Sequence, residues 1–264
     1  MNPPWWAWLS MWSLEGVAFV SLARLTMLGQ TPEGLPLTLG WGLWFLWSGY
    51  VLDRYTDASF TEGGEVTWRH RFHINNIKLL GGLGLFGFAV LLKITLSQPM
   101  ALSAEQSMGL GIALLVGLVI LGIPRIHKNS VTWWTRAVLI ALLLGFMVHD
   151  FRFRTVGYDV VPLVLLALAN LVILRQSELR TPPKILAMMP WVAIGSGLFC
   201  LARTRSVNLW LAWAAVWGGF GLWVLGRRMK SDSLEHFRAK VDAVTLLALL
   251  LGAIGAYLAR GLGG

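Results

Sequence analysis

Apolar segments of about the length that crosses a lipid bilayer recur along the whole chain, and they constrain its fold more than any other feature. A transmembrane helix needs roughly 20 predominantly apolar residues. These segments are continuously apolar rather than alternating, which disfavours a transmembrane barrel. The nine candidate spans are Trp5–Leu28, Leu37–Asp57, Ile77–Leu96, Gly109–Ile123, Val131–His149, Val160–Leu174, Ile185–Leu201, Leu209–Leu225 and Val241–Ala259. The sequence therefore predicts an all-α, polytopic membrane helical bundle with nine transmembrane helices, in one domain over residues 1–264.

The composition supports the same fold class. Of the 264 residues, 56% are hydrophobic and only 13% are charged, which is unlike a soluble domain. The 15 tryptophans suit a protein with two membrane–water interfaces. The net charge of +9 would suggest a nucleic-acid partner in a soluble protein, but here it marks the loops on one side of the membrane, so we expect membrane lipid and no nucleic acid. The single Cys200 excludes an intrachain disulfide and a cysteine metal cluster.

The positive charges are distributed unevenly between the two sides of the predicted bundle. Loops that follow even-numbered spans hold 15 of the 22 Lys and Arg residues, whereas loops after odd-numbered spans, with the C-terminus, hold five. Cytoplasmic loops carry the excess of Lys and Arg in membrane proteins. We therefore expect a multi-pass protein, of the bacterial inner-membrane type, with a cytoplasmic N-terminus and an external C-terminus.

The stretch Tyr50–Lys78 contains the carboxylate, histidine and basic side chains on which the functional interpretation depends. Asp53 and Asp57 are four residues apart near the end of the second span, so a helix would place both on one face. Charged groups at a membrane edge are costly and indicate a functional site. The basic side chains that follow, in a segment interpreted as a short interfacial helix, are Arg69, His70, Arg71, His73 and Lys78. His70 and His73 can ligate metal, but solvated loop histidines are commoner than a two-histidine site.

Polar residues in two further loops fall on the same predicted face. His127 and Lys128 follow the fourth span, either as phosphate contacts or as a positive-inside anchor. Asn170 and Glu178 lie within and just beyond the sixth span. Asp242 enters the ninth span, where it is expected to face the interior. Carboxylates and bases that converge at the mouth of an apolar cavity would suit a Mg²⁺–diphosphate group.

Charged and aromatic residues inside the first two spans leave alternatives open. Arg24 is interpreted as snorkelling to the outer interface, and the partner of Glu15 is undetermined. Trp41, Trp44 and Trp47 recur at helical spacing, either as a cation-stabilising aromatic surface or, more commonly, as packing or lipid-facing side chains.

The layout of spans and motifs resembles the UbiA superfamily of intramembrane prenyltransferases. The family motif NDxxDxxxD falls on residues 49–57, where Asp53 and Asp57 match its last two aspartates but the first two positions do not match. The family's YPxxKR loop falls on residues 123–128, with His127 and Lys128 as the basic pair. The second aspartate motif does not align. The chain most resembles divergent bacterial members in which a Y-x-x-D-R…D core precedes R-H-R-F.

This resemblance implies an integral membrane prenyltransferase that transfers a prenyl group from a polyprenyl diphosphate to an aromatic or quinone-type lipophilic acceptor. Mg²⁺ would be held by Asp53 and Asp57, which would also be the catalytic residues. The implied substrate-binding residues are Tyr50, Arg54, Arg69, Arg71, His127, Lys128, Asn170 and Glu178.

Two alternatives to a metal-dependent enzyme remain open at this point. Arg54, between the two aspartates, can pair with them and replace the metal. The same fold can also bind an isoprenoid or lipid without catalysis, or serve as a subunit of a membrane complex. A transporter is disfavoured because the sequence shows no inverted repeat.

Overall fold

A computed structural model describes residues 8–27, 37–60, 68–97, 103–122, 130–149, 160–178, 187–203, 209–227 and 234–261. Within these ranges the protein is all-helical and has no strand, as predicted. The helices are α1 (Trp8–Met11), α2 (Glu15–Thr26), α3 (Leu37–Phe60), α4 (Trp68–Ser97), α5 (Ala104–Gly122), α6 (Ser130–Val148), α7 (Val160–Glu178), α8 (Met189–Arg203), α9 (Leu209–Arg227) and α10 (Leu234–Gly261).

Several helices are apolar enough to indicate a membrane protein. Four of them are also long enough to cross a bilayer, and these apolar stretches are Trp68–Ser97, Ala104–Leu121, Leu209–Arg227 and His236–Ala259. Shorter apolar helices cover Thr132–Val148, Val160–Arg175 and Ala187–Ala202. A helix suits the lipid bilayer because its backbone groups hydrogen-bond to one another, whereas lipid offers them no partner.

Helices that follow one another in the sequence mostly pack against one another, and α10 returns to α2. The main cluster of buried apolar residues comes from α2, α3 and the helices from α5 to α10, with fully buried members such as Val20, Ala141, Val172 and Leu249. Helix α4 lies at the edge of the bundle, where it packs mainly on α3 and exposes most of its apolar side chains. This exposed surface is what a lipid-facing helix requires.

The basic segment predicted as a separate interfacial helix is instead the first part of α4. No proline interrupts residues 68–97, so the helix continues from Trp68 to Ser97 without a break. The interface with α3 is built from tryptophans: Trp41 Nε1 donates to Thr95 Oγ1 at 2.9 Å, and Trp44 Nε1 donates to the Gly84 carbonyl at 2.8 Å. Trp41 and Trp44 therefore pack between α3 and α4.

Arg24 does not snorkel to an interface. Its side chain is buried, and Nη1 donates a 2.7 Å hydrogen bond to the Val148 carbonyl at the end of α6. The last carbonyls of a helix have no partner within the helix and carry partial negative charge, which a guanidinium satisfies. Arg24 therefore joins α2 to the C-terminal end of α6.

Two close approaches fix how α8 packs on α9. A Cβ added at Gly197 would lie 2.7 Å from the Ala212 carbonyl oxygen, and one added at Gly219 would lie 2.8 Å from the Pro190 carbonyl oxygen. Neither backbone oxygen can move aside cheaply. Small residues at such contacts let membrane helices approach closely.

Gly197→Ala is expected to destabilise the protein by about 1–3 kcal/mol, because the added methyl overpacks the α8–α9 contact. Gly195→Ala is the matched control on the same helix. A Cβ there meets nothing within 4 Å, so this change should be neutral or slightly stabilising through helix propensity. Denaturant unfolding in detergent micelles measures both, and equal stabilities would contradict the packing described here.

Candidate functional site

A cavity of about 370 Å³ opens between α2, α3, α4, α5, α6, α7 and α10. Part of its lining is apolar and includes Phe45, Leu46, Ile120, Ile140, Leu143 and Leu171. The remainder is densely charged. A pocket that combines an apolar surface with a few convergent polar groups is the usual form of a ligand site.

The charged lining is predominantly basic. Five arginines face three carboxylates within the described part of the chain: Arg54, Arg69, Arg136, Arg175 and Arg238 against Glu15, Asp53 and Asp242. With histidine neutral, the site therefore carries an excess of two positive charges. Such an excess in a partly enclosed cavity attracts anions.

These charges meet because the helices alternate in direction. Glu15, Arg69 and Arg238 lie near the starts of α2, α4 and α10, whereas Asp53 and Arg175 lie toward the ends of α3 and α7. All of them line one cavity, so the alternating helix ends lie at one end of the bundle. The convergence predicted from the sequence is therefore seen for Asp53 and Arg69, and it stays a prediction for the bases after the fourth span and for Glu178.

Two neighbouring residues of α3 form ion pairs with two different helices. Arg54 Nη2 lies 3.4 Å from Glu15 Oε1 on α2, which identifies the partner of Glu15. The Asp53 carboxylate pairs with the guanidinium of Arg136 on α6. Successive residues project about 100° apart around a helix, so one α3 segment reaches both neighbours. Arg54 on α3 is thereby joined to α2, and Asp53 to α6.

Arg136 lies in the second turn of α6, inside the predicted fifth span, and is buried. Burial of an arginine requires a counter-ion, and Asp53 supplies it. The pair therefore belongs to the interior of the cavity rather than to a membrane-anchoring loop.

A second polar contact joins α7 to α10. Asn170 Nδ2 donates to Thr245 Oγ1 at 2.9 Å and lies 3.4 Å from Asp242 Oδ1. Thr245 in turn donates to the Val241 carbonyl at 3.1 Å. Asn170 and Asp242 both line the cavity, which confirms that Asp242 faces the interior. Asn170 positions that carboxylate at the edge of the basic cluster.

The first turns of α4 divide their polar side chains between two roles. Arg69 and His70 line the cavity, whereas His73 is buried beside it. His73 Nδ1 donates to the Arg69 carbonyl at 2.8 Å, which leaves Nε2 to accept from Ser13 Oγ at 2.9 Å. Nε2 thus joins α4 to the segment before α2, while Nδ1 bonds within α4. His73 is therefore not the solvated loop histidine that the sequence favours, and neither of its ring nitrogens is available to a metal.

The sequence-predicted residues fall into three groups. The cavity brings together Tyr50, Asp53, Arg54, Arg69 and Asn170. Arg71 is exposed and is not among the lining residues, because two positions after Arg69 a helix has turned by about 200°. His127 and Lys128 lie outside the described residues, as do the side chains of Asp57 and Glu178.

Three arginines and one carboxylate of the site were absent from the predicted set: Arg136, Arg175, Arg238 and Glu15. The signal that identifies them is a charged residue within, or one turn from the end of, an apolar segment. For the three arginines, the excess of Lys and Arg on the cytoplasmic side offers a simpler explanation of the same charge, and this hides the signal.

The described residues do not fit the Mg²⁺ ion implied by the family resemblance. In the described ranges, no three or more His, Cys, Asp or Glu side chains are placed so that they could hold a metal ion. Asp53, the first expected ligand, directs its carboxylate at Arg136. Mg²⁺ requires carboxylate or phosphate oxygens that are available to it. The donor set suits a negatively charged ligand better than a divalent cation.

Comparison with protein-family models, with curated proteins and with solved structures finds no match to this chain. The resemblance to the UbiA superfamily therefore stays a prediction from layout and motifs.

The Glu15–Arg54 pair is expected to show a coupling free energy of about 0.5–3 kcal/mol in a double-mutant cycle with Glu15→Gln and Arg54→Gln. Each single change leaves the other group without the ionic partner it has in the cavity. Unfolding of the four proteins in one detergent gives the coupling. A second cycle combines Glu15→Gln with Arg227→Gln, since Arg227 lies over Trp223 and not in the cavity. Equal coupling in both cycles would contradict a specific pair.

Proposed function

We propose that this protein is an integral membrane protein that binds a polyprenyl diphosphate, or a lipid with the same chemistry, in the cavity at the polar end of its helical bundle. The observation that carries the proposal is the excess of arginine over carboxylate beside an apolar surface. A ligand that contacts both parts of the cavity must carry an anionic headgroup and a hydrocarbon tail. Simple metabolites and neutral lipids each lack one of these.

The arginines are suited to the headgroup. A guanidinium presents a planar set of donors that matches phosphate oxygens in bidentate fashion. The contributing helices are α3, α4, α6, α7 and α10, so the donors approach from several directions. A diphosphate can contact several of them at once, whereas a single carboxylate cannot. The multiple charge of the headgroup is therefore the basis of its selection.

The apolar lining is suited to the first part of the tail. An engineered cavity of 150 Å³ holds benzene, so about 370 Å³ holds roughly 15 non-hydrogen atoms. That is enough for a diphosphate and the first isoprene unit. Phe45 closes the cavity toward α5, where it packs on Gly117, since a Cβ there would lie 2.3 Å from its ring. A longer tail would continue between the helices into lipid.

The second candidate is the prenyl transfer that the family resemblance implies. The observation that favours it is the placement of arginines beside an apolar lining. Departure of diphosphate from an allylic carbon separates charge, and fixed cations stabilise the leaving anion. Apolar surroundings keep water from the carbocation until a lipophilic aromatic or quinone-type acceptor attacks. The third possibility is binding without turnover, within a membrane complex.

For the architecture we propose nine membrane spans of UbiA-like layout in one domain. Each of the nine predicted apolar segments overlaps a described helix, which supports the count. The basic end of the bundle, with the cavity, would then face the cytoplasm.

A reporter fused after Gly264 is expected on the external side, because an odd number of spans places the two termini on opposite sides. Enzymatic reporters that are active on only one side of the membrane measure this, with a fusion in the loop between α9 and α10 as the cytoplasmic control. A cytoplasmic signal at the C-terminus would overturn the nine-span count.

Arg175→Gln is expected to weaken binding of a non-hydrolysable geranyl diphosphate analogue about tenfold or more, because it removes a charged donor from the cavity. Arg227→Gln is the matched control. Both arginines lie in the last turn of their helix and contact a tryptophan, but Arg227 is not among the lining residues. Calorimetry in detergent micelles measures the affinities.

Three ligands test separately whether binding depends on the headgroup and on the tail. The analogue should bind more tightly than inorganic diphosphate, which lacks the tail, or geraniol, which lacks the headgroup. Equal loss of affinity in both variants, or no binding of the analogue, would overturn the proposed site. Formation of a prenylated acceptor together with diphosphate, from the hydrolysable compound and a lipophilic aromatic acceptor, would favour prenyl transfer over binding alone.

A further inference from the structure

We infer that the cavity holds its anionic headgroup without a divalent cation, and that Asp53 is the displaceable counter-ion of Arg136 rather than a metal ligand. The inference rests on the proposed function, since it concerns how the same site recognises a diphosphate. It reverses the role that the sequence motif gives to Asp53.

The first argument comes from the contacts of Asp53. Its carboxylate pairs with Arg136, and both side chains are nearly buried, with exposed fractions of 12% and 11%. A Mg²⁺ ion on the same carboxylate would have to displace a buried guanidinium or lie within a few ångströms of it. Two cations so close in a site of low dielectric repel strongly. Arg136 therefore occupies the electrostatic position that the motif assigns to the metal.

The second argument comes from the total charge of the cavity. A metal ion in a diphosphate site neutralises the phosphate oxygens so that they can enter an apolar environment. Here the described lining already provides an excess of two positive charges. A divalent cation would raise that excess, and within the described ranges no group of carboxylates is arranged to hold it. Arginines in this number replace the metal in its neutralising role.

The third argument concerns what happens to the ion pairs when an anion enters. Arg136 and Arg54 both line the cavity while they pair with Asp53 and Glu15. A diphosphate oxygen is a stronger competitor for a guanidinium than a single carboxylate, because it carries more charge. The ligand therefore exchanges with the two carboxylates, and each carboxylate lowers the affinity by holding its arginine. Arg54 Nε, which has no hydrogen-bond partner among the described residues, is a further donor for the incoming anion.

This exchange gives Asp53 and Arg136 opposite effects on binding, and a metal role would give the reverse. Without metal, Asp53→Asn removes a competing negative charge and strengthens binding, whereas Arg136→Gln removes a donor and weakens it. If Asp53 held Mg²⁺, Asp53→Asn would abolish binding, and Arg136→Gln would free the carboxylate for the ion and strengthen it. The signs of the two effects thus separate the mechanisms.

The experiment is calorimetric binding of the geranyl diphosphate analogue to the full-length protein in micelles, with either excess Mg²⁺ or a chelator. We expect wild-type affinity to change less than threefold between the two conditions. We expect Asp53→Asn to bind about tenfold more tightly and Arg136→Gln about tenfold more weakly, as one removed charge at this distance implies.

Folding of the variants is checked independently. Asp53→Asn leaves Arg136 buried without its counter-ion, so the double variant Asp53→Asn with Arg136→Gln serves as the second test, because it removes both charges together. It should bind more weakly than Asp53→Asn, with or without Mg²⁺.

The possible failures are distinguishable. Binding that requires Mg²⁺ and is lost in Asp53→Asn would overturn the metal-free site and leave the proposed function intact. No binding of the analogue by the wild type in either condition would overturn both.

Discussion

The ion pair between Asp53 on α3 and Arg136 on α6 is the interaction on which the arrangement of the site depends. A guanidinium buried in an apolar bundle requires an anionic partner, and the carboxylate fixes α3 against α6 to provide it. The next residue, Arg54, pairs with Glu15 and so fixes α3 against α2. One turn of α3 thus determines how three helices surround the cavity.

These pairs also give the cavity its chemical character. The surrounding helices are closely packed and apolar, so each charge that remains in the lining acts at short range and with little screening. Asn170 holds Asp242 at one side, and Arg69 enters from the first turn of α4. The cavity therefore has a basic part and an apolar part. An amphipathic anion can contact both parts at once.

The aspartates of the motif can act in two ways, as ligands of a metal ion or as counter-ions of arginine. An aspartate pair spaced by four residues is the form of a metal site, but the partner of Asp53 is a residue 83 positions later in the chain. A motif describes spacing along one helix, whereas the charge balance of a site is summed over several. The arginines of α4, α6, α7 and α10 decide that balance here.

The sequence by itself determined that the chain is helical and built for a membrane, because segment length and hydrophobicity act locally and every backbone group must be satisfied within its own segment. It also indicated Asp53, since a charge at the end of an apolar segment is costly. The family resemblance added Tyr50, Arg54, Arg69 and Asn170, which line the same cavity. Only the tertiary structure decided the partners. Glu15, Arg136 and Arg238 joined the site because separate helices converge there, and Arg71 was left out because the rotation of α4 turns it away.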